Sequence, residues 1–207
     1  LAGRGATLSL IGRTAASMEA TAERVSAACS VPVRTAVADV ADEAALRRAI
    51  DACVASSGPA AILVNNAGIA PSAPFLKSDA ALWRQVLDVD LMGAVHASQA
   101  VLPGMLSVGW GRVINIASTA GLTGMPYVTA YCAAKHALAM SRAIDIGRIE
   151  EGHPSVEGSV DGANRLVVVH FAPPEGCVSG PKRAADGPTA HAKRADLDSR
   201  MSQFAFH

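Results

Sequence analysis

Hydrophobic positions along the chain fall into two alternating patterns. Short, mostly apolar segments at residues 6–11, 61–65, 112–117 and 165–171, with a more polar one at 33–37, are bounded by Gly, Pro or polar clusters. Such runs read as strands covered on both faces. Between them lie longer stretches, 14–29, 42–56, 79–106 and 127–146, whose apolar residues recur at helical spacing. Thr14 and Asp42 stand where helix N-caps are expected. In the 79–106 helix, Trp83, Leu87, Leu91 and Val95 recur every four residues and predict the face that packs on a sheet. The alternation of strand and helix with short links predicts an α/β fold, a doubly wound parallel sheet.

The pattern weakens after residue 146. Residues 147–207 are richer in Gly and Pro and hold one further strand, 165–171, preceded by a polar link at 150–164. The segment 173–195, with basic pairs Lys182-Arg183 and Lys193-Arg194, reads as a solvated, loop-rich tail. The chain is therefore divided into a regular part, 1–146, and a divergent C-terminal segment, 147–207.

Composition narrows the classes. Half of the 207 residues are hydrophobic, which excludes a disordered chain. The 42 alanines against 4% aromatics predict closely packed helices over a core of Val, Ile, Leu and Ala. With 18 basic and 18 acidic side chains the formal charge is zero, which argues against nucleic acid as a partner. There is no uncharged apolar run of about 18 residues, so no membrane span is expected. No basic-then-apolar leader opens the chain, whose first residue is Leu1 rather than Met. The four cysteines form no CxxC pair and the six histidines no metal-ligand spacing, which reads as reduced thiols in a cytoplasmic protein without a metal.

The chemistry is concentrated in a few positions. Tyr131 and Lys135 are four residues apart, so a helix places them on one face. An ammonium beside a phenol favours the phenolate, and such a tyrosine serves as an acid or base near neutral pH. Ser118 ends the fourth strand, Asn65-Asn66-Ala67-Gly68 the third and Asp39-Val40 the second. In an open α/β sheet these carboxyl ends are where ligands bind.

Taken together, Asn65-Asn-Ala-Gly68, Ser118, Tyr131-x-x-x-Lys135 and Asp39-Val40 resemble the short-chain dehydrogenase/reductase family, in the branch of 3-oxoacyl reductases. The similarity covers about residues 1 to 146 and is strongest from Leu63 to Arg142. The resemblance implies an incomplete Rossmann-like dinucleotide-binding and catalytic core. It also implies an NAD(P)-dependent oxidoreductase that interconverts a ketone and a secondary alcohol. Tyr131 would be the acid or base, Lys135 would support it and hold the nicotinamide ribose, and Ser118 would bind the substrate oxygen. Asn65, Ala67 and Gly68 would line the cofactor cleft, and Asp39 and Val40 would flank the adenine. Arg13, where an acidic residue would select NAD, suits the 2′-phosphate of NADP, so NADP is preferred over NAD. The partner is then a small carbonyl or alcohol substrate. The family also implies homodimers or homotetramers built through helix pairs.

Three departures from the family pattern stand out. No strand with a Gly-rich turn precedes residue 6, and Gly3-x-Gly5 is not that fingerprint because a strand follows it. An N-terminally truncated fragment is expected, with the strands flanking the missing one left unpaired in mid-sheet. Asp90 stands where the family has Asn, and its carboxylate is expected to stabilise the Lys135 ammonium and blunt its pull on Tyr131. Last, Ala172-Pro-Pro-Glu-Gly176 and the residues beyond lack the usual substrate lid, as divergence or a frameshift after residue 146 would produce. The competing reading is a non-catalytic remnant, scaffold or nucleotide sensor of the same fold.

Overall fold

The computed structural model describes residues 1–140, 145–146 and 166–170. The order of elements is β1 (Thr7–Gly12), α1 (Ala15–Cys29), β2 (Val33–Val37), α2 (Glu43–Ser57), β3 (Ile62–Asn65), α3 (Ala80–Leu87), α4 (Gly93–Val108), β4 (Gly111–Asn115), α5 (Thr129–Met140), β5 (Asp145–Ile146) and β6 (Leu166–His170). Helices alternate with strands around one six-stranded sheet ordered β2-β1-β6-β3-β4-β5. The polar link 150–164, the 172–176 turn and the 173–195 tail lie outside the described residues.

The elements follow their sequence signals closely through residue 140. Asp42 caps α2, its carboxylate accepting from the Ala45 amide at 2.9 Å. Thr14 is the N-cap of α1, but its hydroxyl makes no capping hydrogen bond. β1 is buried along nearly its whole length and pairs in parallel with β2, as β3 does with β4. Ile11, Leu63 and Val113 from these strands meet Leu46 and Ile50 of α2 and Val101 and Met105 of α4 in the main core.

Four expectations need correction. The expected parallel pairs β1–β2 and β3–β4 are present, but the sheet is not parallel throughout, because β5 runs antiparallel to β4 and β6 runs antiparallel to both β1 and β3. Nor are β1 and β3 left unpaired. β6 lies between them, with Ser9 and Leu63 both opposite Val168. Three consecutive β-branched valines suit a central strand, and β6 joins two half-sheets that share no other ladder among the described residues. Of the helix expected at 127–146, Thr129–Met140 is helical among the described residues, whereas residues 145–146 form a short strand.

The fourth correction concerns the 79–106 helix. It is interrupted by a π turn at Asp88–Met92. The wider turn shifts the phase of all that follows. The sheet-facing stripe is Gly93, Ala97, Val101 and Met105, whereas Val95 is exposed. Trp83 and Leu87 pack instead beside Ala130, Ala134 and Tyr131 of α5. By length and composition alone, Ala80–Val108 is one helix apolar enough to cross a membrane. In the fold its buried stripe belongs to the core over β3 and β4.

Candidate active site

The carboxyl ends of β3 and β4 open onto the N-terminal half of α5, where the buried polar residues Asn65, Asp90 and Lys135 lie. Lys135 is 4% exposed. Its ammonium donates to the Ile116 carbonyl at 3.2 Å, just past β4. It lies 3.5 Å from Asp90 Oδ2 and 5.6 Å from the centre of the Tyr131 ring. Asp90 sits inside the π turn, is 1% exposed, and accepts from the Ile69 amide at 2.7 Å through Oδ1. The turn after β3 thus lies directly on the ion pair. A Cβ at Gly68 would stand 3.0 Å from Asp90 Oδ2 and 3.3 Å from Lys135 Nζ, so this turn has no room for a larger residue.

Burial governs the charges. It holds the Asp90 carboxyl above its ordinary value of 3.8, against the pull of the Ile69 amide and of Lys135. It likewise holds Lys135 below 10.5, with Asp90 opposing. Asp90 does favour the ammonium, as expected, but desolvation outweighs it.

Ser118 follows β4 as the N-cap of the short turn Thr119–Gly121, its Oγ accepting from the Ala120 amide at 3.2 Å. That turn presses on α5, since a Cβ at Gly121 would fall 2.6 Å from the Lys135 carbonyl oxygen. Ser118, Tyr131, Lys135 and Asp90 therefore belong to elements packed together at one sheet edge. Tyr127, at the entry to α5, holds a left-handed φ of 66° while its carbonyl accepts from Ala73 at 2.8 Å. A non-glycine residue in that conformation stores strain.

The residues expected to line a cofactor cleft divide into two groups. Arg13 and Asp39 meet at the tips of β1 and β2, 3.8 Å apart and about half exposed. The other group packs against the core. Val40 is buried against Gly93, where a Cβ would come within 2.9 Å of it. Asn65 is buried, and its Nδ2 donates to Asn115 Oδ1 at 2.8 Å and to Ser98 Oγ at 3.3 Å. Its Oδ1 is buried without a hydrogen bond. Asn65, Ala67, Val40 and Asp90 line one small cavity with Gly93, Leu138 and Leu166. Sequence reasoning missed Asn115, Ser98 and the Ile116 carbonyl; only Asn115, a polar residue within an apolar strand, carried a signal.

The family model described as short chain dehydrogenase matches residues 1–143. The chain belongs to the short-chain dehydrogenase family. Among its relatives is a protein named inactive 2-(S)-hydroxypropyl-CoM dehydrogenase 2 from Xanthobacter autotrophicus, 40% identical over 134 residues, which are 65% of this chain and 56% of that one. Among solved structures, an NAD+-bound xylitol dehydrogenase is 31% identical with a TM-score of 0.63, covering 66% of this chain and 53% of the other. A gluconate 5-dehydrogenase from Burkholderia cenocepacia J2315, in complex with NADP and tartrate, is 34% identical with a TM-score of 0.59, covering 64% and 51%. The chain spans about half the length of the relatives it matches. The short-chain dehydrogenase fold accounts for the Rossmann-like arrangement of β1 to β4.

Proposed function

We propose that the chain carries the catalytic end of an NAD(P)-dependent oxidoreductase that interconverts a ketone and a secondary alcohol, with NADP preferred over NAD. The observation that carries this reading is the buried Lys135 ammonium beside Tyr131, at the strand ends where Ser118 also stands. Tyr131 would give its phenolic proton to the carbonyl oxygen in reduction and take it back in oxidation. Lys135, fixed by Ile116 and Asp90, would favour the phenolate that this exchange requires. The Ser118 hydroxyl would hold the substrate oxygen in line for that proton.

The described residues suit the two ends of a dinucleotide and not its middle. Tyr131 and Lys135 suit the nicotinamide ribose, and Arg13 the adenosine 2′-phosphate. The pyrophosphate needs a strand-to-helix turn at the switch point of the sheet. The antiparallel β6 supplies none there among the described residues. That observation also favours a second reading, a non-catalytic member of the family. NADPH oxidation followed at 340 nm over a panel of small ketones separates the two. Turnover that Tyr131→Phe lowers by about 100-fold or more supports catalysis. Turnover that Tyr131→Phe leaves unchanged refutes it.

A further inference from the structure

The small cavity beside the ion pair has a volume of about 10 Å³, room for one water molecule. Its walls are apolar except for Asn65 and Asp90. Each of these buried residues carries one oxygen without a hydrogen bond, Asn65 Oδ1 and Asp90 Oδ2. The surrounding network fixes both assignments. The Ser98 hydroxyl donates to the Ala94 carbonyl at 2.7 Å, so towards Asn65 it can only accept. The Asn65 amide must therefore turn Nδ2 to Ser98 and Asn115, which leaves Oδ1 at its other end. In Asp90, Oδ1 is taken by the Ile69 amide. Oδ2 has the Lys135 ammonium 3.5 Å away, too far for a strong hydrogen bond, and that ammonium donates to the Ile116 carbonyl. Two buried acceptors on one cavity call for a donor with two hydrogens, which a water supplies. A divalent cation would find only two oxygens and a repelling ammonium.

We propose that this cavity binds one internal water, which donates to Asn65 Oδ1 and to Asp90 Oδ2, and that Asn65 is thereby a positioning residue for the Asp90–Lys135 pair. The site stands whether or not the chain turns over a ketone. Asp90 faces the Lys135 ammonium from α5 and the Ile69 amide from the turn after β3. A water hydrogen on Oδ2 favours the carboxylate, as the amide does on Oδ1, and so opposes the effect of burial.

A crystal structure of the full 207-residue chain, at a resolution that shows ordered waters, tests the site directly. One water should lie within about 3.2 Å of both Asn65 Oδ1 and Asp90 Oδ2. A dry cavity overturns the proposal, as does a direct hydrogen bond between the two side chains. Two variants test the positioning role, with the Asp90 carboxyl titrated by side-chain carbon-13 NMR. Asn65→Leu should lose the water and raise the Asp90 midpoint by about one pH unit. Ser98→Ala breaks the bond at the opposite end of Asn65 and should keep both the water and the midpoint. An unmoved midpoint in Asn65→Leu overturns the role, and an equal rise in Ser98→Ala overturns it too, because that reports general loosening. Should Asn65→Leu fail to fold, the density in the parent chain still decides the water site.

Discussion

Asp90→Asn tests the electrostatics of the site, because it removes one charge and preserves shape. The amide oxygen still accepts from the Ile69 N–H, now bound at 2.7 Å. At the 3.5 Å separation of Asp90 Oδ2 and Lys135 Nζ, unit charges attract by about 5 kcal/mol at an effective dielectric of about 20. Desolvation costs several kcal/mol for each of the two ions. Burial is the largest influence on both groups, holding Asp90 up and Lys135 down, so it shifts each toward its neutral form. A carboxyl with a raised folded value contributes stability that is fully present below its ordinary 3.8 and is lost as pH rises through the folded value. Asn copies the protonated form and escapes that loss. Asp90→Asn is therefore expected to match the parent just below pH 3.8 and to exceed it at pH 7. A gain of only about 1 kcal/mol is expected, kept small because the buried Lys135 loses its counter-charge. In urea unfolding, with a slope of about 2 kcal/mol per molar, the midpoint should rise by about 0.5 M. A midpoint lowered by the equivalent of about 3–5 kcal/mol, as when a buried charge is orphaned, would refute the reasoning.

Two further substitutions test the scaffold and the cofactor corner. Gly93→Ala would place its Cβ 2.9 Å from Val40 Cβ and Cγ2, so a loss of about 1–3 kcal/mol is expected in urea unfolding. In a Val40→Gly background, which removes both the Cβ and the Cγ2 contact and leaves the Val40 carbonyl oxygen at 3.3 Å, the same change should cost less. Arg13→Ala breaks an exposed pair with Asp39, so stability should change by less than about 0.5 kcal/mol. The ratio of NADPH to NADH binding should nevertheless fall, and an unchanged ratio would exclude Arg13 from 2′-phosphate recognition.

Local structure was legible in the sequence wherever period and capping agreed. β1 to β4 and α1, α2 and α5 start within a residue or two of the positions that Gly, Asp and Thr punctuation predicts. The long helix was mis-phased for a physical reason. Trp83, Leu87, Leu91 and Val95 keep a strict spacing of four, but the π turn at Asp88–Met92 rotates the helix, and small residues, Gly93 and Ala97, make the close approach. A hydrophobicity pattern weights large side chains and overlooks such a face. The same turn carries Asp90 inward, so the distortion that defeats the periodicity also builds the ion pair.

The position of β6 was illegible for a different reason. Apolar runs announce a strand but not its neighbours or direction, which depend on long-range pairing. The sequence announces a strand at 165–171 and, separately, a gap in mid-sheet, with nothing to join the two. Backbone pairing argues that the two observations are one. An open gap between β1 and β3 would leave two rows of peptide groups without partners, each costly once buried. A segment of consecutive valines within reach satisfies both rows in either direction, and the antiparallel one is seen. The demand for hydrogen bonds that made the missing strand conspicuous therefore also explains the element that replaces it. What that demand does not supply, among the described residues, is a turn for a pyrophosphate.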